Sequence, residues 1–186
     1  MPHLLWVIPA LPLAGFLVLA LSGSRMPRRA VAAIGTGSVG ISAILAILTA
    51  AQFISSLPEQ RSYTQVLWQW IGVAGFAPRI AFYLDALSLI MVLVVTFVAF
   101  WIHFYSTEFM IDDDGYSRFF AYMNLFVASM LILVLADNLL FLYLGWEGVG
   151  LCSYLLIGFW YQDPANGKAA QKAFIVTRIG DSAMAV

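Results

Sequence analysis

The sequence predicts an all-α membrane protein: a polytopic helical bundle with five complete transmembrane helices, a truncated sixth helix and a short β-hairpin on the outer face. Of its 186 residues, 62% are hydrophobic and only 10% are charged. The mean hydropathy of +0.90 lies far outside the usual range for soluble domains. Apolar residues gather in runs of about 20, the length that crosses a bilayer as a helix. Because these runs lack the alternation of a membrane barrel, helices are the remaining way to satisfy the backbone.

The predicted helices follow the apolar runs in chain order. The runs cover residues 4–21, 30–53, 82–105, 119–136, 139–160 and 169 onward. The first run has no Lys or Arg at its start, and a basic cluster follows it at residues 25–29. We therefore expect an uncleaved first helix rather than a signal peptide.

Basic residues predict the orientation of the helices. By the positive-inside rule the cluster at residues 25–29 is cytoplasmic, which places the amino terminus outside. The later loops then alternate between the two sides. Arg25, Arg28, Arg29, Arg118, Lys168 and Lys172 fall on the cytoplasmic side, and Arg61 and Arg79 fall outside.

The longest connection, residues 54–81, is predicted to contain the hairpin. Val66, Trp68 and Trp70 alternate with glutamines, and Gly72 and Gly75 interrupt the chain before the apolar stretch at residues 79–83. This pattern is typical of two short strands joined by a turn. We expect the tryptophans to lie at headgroup depth as an interfacial anchor.

Composition excludes several kinds of site from this sequence. A single cysteine, Cys152, cannot supply an internal disulfide, a four-cysteine iron–sulfur site or a zinc cluster. No Gly-rich nucleotide fingerprint follows a predicted strand. The net charge of −1 offers no basic surface, so no nucleic-acid partner is expected. Any redox centres are expected in partner proteins, and the lipid bilayer is the expected surrounding.

Three ionisable residues are predicted at membrane depth on the last two helices: Glu147, Arg178 and Asp181. Inserting such a residue at the centre of a membrane helix costs roughly 2.5–3.5 kcal/mol. We therefore expect each of them to have a functional role. Glu147 lies 13 residues before Trp160, or about 20 Å at the helical rise. Asp181 lies 12 residues after Ala169, or about 18 Å. The two carboxylates are therefore expected at one level near the bilayer midplane.

The spacing of these residues suggests a tunable proton site. Arg178 precedes Asp181 by three residues, so it can pair with Asp181 on the same helix face or reach across to Glu147. Burial and a nearby cation shift the pKa of a carboxyl in opposite directions. Glu147 is the predicted proton-translocation switch. The charges of Arg178 and Asp181 are predicted to tune its affinity for a proton. The alternative is a fixed ion pair that holds two helices together.

Three further residues are candidates for a proton relay. Tyr143 and Tyr154 stand at i−4 and i+7 from Glu147, on its helix face, where their hydroxyls can donate hydrogen bonds or hold water. His103 is expected near the cytoplasmic end of the third helix, beside Trp101. Its ordinary pKa suits a relay, but an interfacial histidine without such a role is the alternative.

Small residues indicate where helices can approach each other closely. In the second helix Ala32, Thr36 and Gly40 recur every four residues, and in the fifth Gly145 and Gly148 stand on either side of the buried glutamate. We expect a neighbouring helix to pack closely at both places.

Three stretches of the chain carry a family signature. They are residues 82–110, residues 115–160 with the run GWEGVGLCSYLLIGFW, and KAFIVTRIGD at residues 172–181. These stretches strongly resemble the antiporter-like L subunits of bacterial respiratory complex I, the counterparts of subunit five of mitochondrial NADH dehydrogenase. That family is related to the large subunit of multi-subunit Na⁺/H⁺ antiporters.

The resemblance implies a membrane-arm subunit of the bacterial inner membrane that helps move protons outward while NADH reduces quinone elsewhere in the complex. It implies that NADH, FMN, iron–sulfur clusters and quinone are bound by partner subunits. The glutamate of the family's fifth helix falls on Glu147, and the Arg and Asp of its sixth fall on Arg178 and Asp181. In the family the glutamate pairs with a lysine on a later helix.

The resemblance also predicts how the chain is divided. Residues 1–81 are expected to form a two-helix segment with the outer loop, and residues 82–186 to begin the antiporter-like proton-translocation domain. We expect the chain to be the amino-terminal part of a longer subunit. Two other interpretations stay open: a cation/proton antiporter subunit without redox partners, and a helical scaffold whose charges only hold helices together.

Overall fold

The computed structural model describes residues 4–56, 62–70, 72 and 77–185. Within these ranges the chain forms six α-helices and two β-strands. In order, the elements are α1 (Val7–Ser22), α2 (Arg28–Ser56), β1 (Ser62–Gln69), β2 (Arg79–Asp85), α3 (Ala86–Phe109), α4 (Tyr116–Leu135), α5 (Leu139–Ile157) and α6 (Pro164–Ala185). Five of the described helices, α1 to α5, are long and apolar enough to cross a membrane. The predicted all-α membrane fold is confirmed.

The third helix begins later than predicted, because the apolar run that contains it starts as a strand. Residues 82–85 belong to β2, and α3 begins at Ala86. The carboxylate of Asp85 accepts a 2.7 Å hydrogen bond from the backbone N–H of Ser88. In return the Ser88 hydroxyl accepts one of 2.8 Å from the Asp85 N–H. This capping box fixes the start of the helix.

The boundaries predicted for the last two helices are also corrected. α5 ends at Ile157, three residues before the predicted end, with Gly158 as its carboxyl-terminal cap. α6 begins at Pro164 rather than at residue 169. Asp163 accepts a 2.9 Å hydrogen bond from the N–H of Ala165, and a proline at the first helical position has no N–H to leave unpaired.

The predicted β-hairpin is confirmed, and its position on the outer face stays a prediction. β1 and β2 pair in antiparallel register from Ser62 opposite Asp85 to Gln69 opposite Arg79, with an irregularity between Val66 and Trp68. β2 also packs on the helical bundle, since Phe82 bridges to Ala136 beyond the end of α4. Gly75 lies outside the described residues, and the headgroup depth of the tryptophans stays a prediction.

α4 occupies the centre of the bundle and packs against α1, α2, α3 and α5. Leu131 and Leu135 are fully buried in an apolar cluster that extends towards the hairpin. Phe120 is fully buried in a second cluster with Leu19 and Phe159. α6 packs on α5, so contacts with α5 position the charged residues of α6.

The small-residue stripe of α2 forms a close contact with α3 at Gly40. A Cβ on Gly40 would lie 3.1 Å from the Phe100 ring. The most buried line of α2 is one residue away, at Val31, Gly35 and Val39. At Gly35 a Cβ would lie 2.7 Å from the ring of Phe120, so α4 packs closely against α2 at this residue.

Candidate functional site between α5 and α6

Two glycines bring α5 against α4 and thereby orient Glu147. A Cβ built on Gly145 would lie 2.6 Å from the backbone nitrogen of Leu133, and one on Gly148 would lie 2.6 Å from the Ser129 hydroxyl oxygen. The expected close packing at these positions is confirmed. Glu147 is about 200° around the helix from Gly145. Its side chain therefore points away from α4.

The three ionisable residues predicted from the sequence meet between α5 and α6. Glu147 lies eight residues after the start of α5 and ten before its end. The Nη1 of Arg178 forms a salt bridge with the Oε2 of Glu147. The Nε of Arg178 is 3.8 Å from the Oδ2 of Asp181. The guanidinium thus lies between two carboxylates and is held more closely by the one on the other helix.

The burial of the three side chains decreases from Asp181 to Arg178. The side chain of Asp181 is 6% exposed, whereas those of Glu147 and Arg178 are 21% and 36% exposed. The Arg178 guanidinium carbon also lies 4.6 Å from the centre of the Phe174 ring. A cation over an aromatic face is stabilised by the ring quadrupole, so Phe174 supports the guanidinium on its own helix.

Trp146 completes the site and was missed by the sequence analysis. Its indole Nε1–H donates a 2.7 Å hydrogen bond to the Oδ1 of Asp181. Consecutive residues of α5, Trp146 and Glu147, therefore contact Asp181 and Arg178 respectively. The ring of Trp146 is 45% exposed, so burial gave no signal. The signal in the sequence was an indole N–H within a predicted membrane span, where such a donor usually finds a hydrogen-bond partner.

Two polar atoms of the site have no hydrogen-bond partner within the part of the chain that the structure describes. They are the Oε1 of Glu147 and the Nε of Arg178, and both are buried. Buried polar atoms are nearly always paired, so an unpaired one calls for a physical explanation. One oxygen of Glu147 is bound by a cation, and the other is available to accept a proton.

The two tyrosines lie near the site without bonding to it. The Tyr154 ring is 5.4 Å from that of Phe174, the same ring that lies under Arg178. Tyr143 is partly buried on the Glu147 side of α5. Among the hydrogen bonds of the described residues, neither hydroxyl is paired with Glu147. Their relay roles stay predictions.

His103 is buried inside the bundle, near the end of α3. The residue has no solvent-exposed surface. Its Nδ1 lies 2.8 Å from the carbonyl oxygen of Ala99, and its Nε2 is 3.5 Å from the Asn124 amide. Asn124 in turn accepts a 2.6 Å hydrogen bond from Ser38. The structure therefore places His103 in a separate polar cluster among α2, α3 and α4, and a relay role for it stays a prediction.

Two family profiles match the chain, one ending within α4 and the other beginning directly after α4. Residues 70–120 match the family described as NADH-Ubiquinone oxidoreductase (complex I), chain 5 N-terminus. Residues 136–186 match NADH:quinone oxidoreductase/Mrp antiporter, TM. The second match includes every residue of the site between α5 and α6.

Curated relatives match nearly the whole chain. NADH-quinone oxidoreductase subunit L of Pseudomonas aeruginosa is 57% identical over 174 residues, which are 94% of this chain and 28% of the relative. The Escherichia coli protein of the same name is 54% identical over 171 residues, 92% of this chain and 28% of the relative. The chain belongs to the subunit L family of NADH-quinone oxidoreductase.

A chloroplast protein is also among the relatives. NAD(P)H-quinone oxidoreductase subunit 5, chloroplastic, of Mesostigma viride is 42% identical over 182 residues, 95% of this chain and 27% of the relative. The chain spans less than a third of the length of these three relatives. The division of the chain at residue 82 is not tested by these matches and stays a prediction.

Proposed function

We propose that the chain forms part of the membrane arm of a proton-pumping NADH:quinone oxidoreductase in the bacterial inner membrane, with its amino terminus outside. It takes part in proton translocation while NADH oxidation and quinone reduction proceed in partner subunits. NADH, FMN, iron–sulfur clusters and quinone are bound by those partners. The observation that carries this proposal is the guanidinium of Arg178 between the carboxylates of Glu147 and Asp181. Subunit L relatives support it.

The geometry allows a proton on Glu147 to change the partner of Arg178. A proton that binds the unpaired Oε1 neutralises the carboxylate and weakens its attraction for the guanidinium. Two unit charges 4 Å apart interact by about 4 kcal/mol at an effective dielectric constant of 20. That loss favours movement of Arg178 towards the Oδ2 of Asp181, only 3.8 Å from its Nε. The return of Arg178 to Glu147 favours release of the proton.

Replacing Glu147 by glutamine in the full-length subunit tests the proposal. The intact complex, in its native membrane, is assayed for protons translocated per NADH oxidised. We expect the variant to assemble but to translocate fewer protons per NADH. Glu108→Gln is the matched control, because Glu108 is exposed at the end of α3. A Glu147→Gln complex that pumps as well as the control would contradict the proposal.

A second candidate function is a cation/proton antiporter subunit. The description of the second family profile names both NADH:quinone oxidoreductase and Mrp antiporter, so the same helices can serve either activity. A sodium gradient imposed on vesicles without NADH separates the two. Proton movement driven by that gradient, and lost in Glu147→Gln, would favour the antiporter.

A further inference from the structure

We infer that Trp146 is a positioning residue of the proton site. Its indole N–H donates a hydrogen bond to the carboxylate of Asp181 and so keeps Arg178 paired with Glu147. This inference rests on the proposed function and adds to it the group that selects between the two partners of Arg178. Trp146 contacts neither Arg178 nor the unpaired oxygen of Glu147 by a hydrogen bond. It acts through Asp181.

The geometry shows two carboxylates competing for one guanidinium. Arg178 is bonded to Glu147 on α5, although Asp181 is on its own helix at the favourable i+3 spacing. Asp181 is also the more buried of the two acids. A buried carboxylate without donors is costly, so Asp181 alone would attract the guanidinium more strongly. Its hydrogen bond from Trp146 supplies the missing donor.

The unpaired Nε of Arg178 marks the alternative position of the guanidinium. This atom faces the Oδ2 of Asp181 at 3.8 Å, and it has no hydrogen-bond partner among the residues described. A movement of roughly 1 Å brings it to ordinary hydrogen-bond distance. Without the indole N–H, Asp181 would make that bond, and the guanidinium would be drawn away from Glu147.

Two variants of Trp146 separate this role from simple packing. Trp146→Phe keeps an aromatic ring but removes the N–H, whereas Trp146→Gln loses the ring but keeps an N–H donor. A positioning role predicts that Gln retains more proton transport than Phe. A packing role predicts the opposite order. We expect about a tenfold loss of transport in Trp146→Phe; tenfold corresponds to ~1.4 kcal/mol, near the value of one hydrogen bond to a charged group.

Trp160→Phe is the matched control. Its indole N–H also donates to a carboxylate, with 2.8 Å between its Nε1 and the Oδ2 of Asp113, but it lies outside the membrane-spanning part of α5. The same chemical change there should leave transport unchanged. All three variants are made in the full-length subunit and measured in the intact complex, with NADH oxidation by an artificial acceptor as the measure of assembly.

A structure of the Trp146→Phe complex gives an independent readout. We expect the Arg178 guanidinium to hydrogen-bond Asp181 and to leave Glu147. Transport as high in Trp146→Phe as in Trp146→Gln, or failure of both variants to assemble, would overturn the inference. If Glu147→Gln abolishes pumping while Trp146→Phe pumps normally, only this inference fails. If Glu147→Gln pumps normally, the proposed function itself fails.

Discussion

Replacing Gly145 by alanine tests whether the close packing of α5 on α4 holds Glu147 in place. The added Cβ would lie 2.6 Å from the nitrogen, 2.8 Å from the Cα and 3.0 Å from the Cβ of Leu133. Two of these atoms belong to the backbone, which cannot rotate away as a flexible side chain can. The helices themselves must therefore separate.

The size of the effect follows from these distances. Ordinary van der Waals contact begins near 3.4 Å, so the 2.6 Å contact requires α5 to move by about 0.8 Å. Overpacking of this kind costs about 1–3 kcal/mol. Glu147 is two residues away on the same helix and moves with it. A misplacement of about 1 Å at a reacting group can lower a rate by about 10²-fold.

Proton transport per NADH and the thermal inactivation of the intact complex measure the two consequences. We expect Gly145→Ala to lower both. Gly37→Ala in α2 is the control, because no described atom lies within 4 Å of its added Cβ, and alanine favours a helix over glycine by about 1 kcal/mol at either position. Equal transport and stability in the two variants would refute the argument that packing at Gly145 positions the site.

Two further predictions concern helix starts on the hairpin side of the bundle. Asn138 accepts a 3.0 Å hydrogen bond from Phe141 N–H and donates one of 2.7 Å to the Arg79 carbonyl. Asn138→Ala should therefore destabilise the complex by about 1–2 kcal/mol, and Asn138→Asp, which keeps the cap, by less. The Ser88 backbone N–H holds the pKa of Asp85 below its usual 3.8. The stabilisation from Asp85 is present above pH 3.8 and is lost as the pH falls through the folded-state pKa; Asp85→Asn should lack this acid dependence.

Thermal inactivation of the intact complex measures both predictions, at neutral pH for Asn138 and from pH 3 to pH 7 for Asp85. Equal inactivation of Asn138→Ala and Asn138→Asp would show that the cap adds little. If wild type and Asp85→Asn show the same acid dependence of thermal inactivation, that dependence arises from other groups.

The helices could be predicted because the bilayer length sets the length of an apolar run, but their ends could not. An apolar run alone does not distinguish strand from helix, and residues 79–105 contain both. The start of α3 depended on the pairing of Asp85 with Ser88, and the start of α6 on Asp163 before Pro164. Both are short polar signals within or beside the longer apolar pattern.

The charged members of the site could be predicted because a charge in hydrocarbon is costly and must have a partner. Trp146 was missed because an indole on an apolar helix has the same hydropathy signal whether or not its N–H is bonded. For His103 a signal was available. Thr96, Ala99, His103 and Ser106 are buried at helical spacing on one face of α3, and Trp101 lies on the opposite, exposed face.

The central claim is that Glu147 gains and loses a proton during turnover, and infrared difference spectroscopy tests it most directly. Spectra of the intact complex are recorded before and after NADH is added. We predict a change in the C=O band of a protonated carboxyl group that is present in wild type and in Glu108→Gln and is missing in Glu147→Gln. The same band change in Glu147→Gln, at unchanged amplitude, would contradict the account.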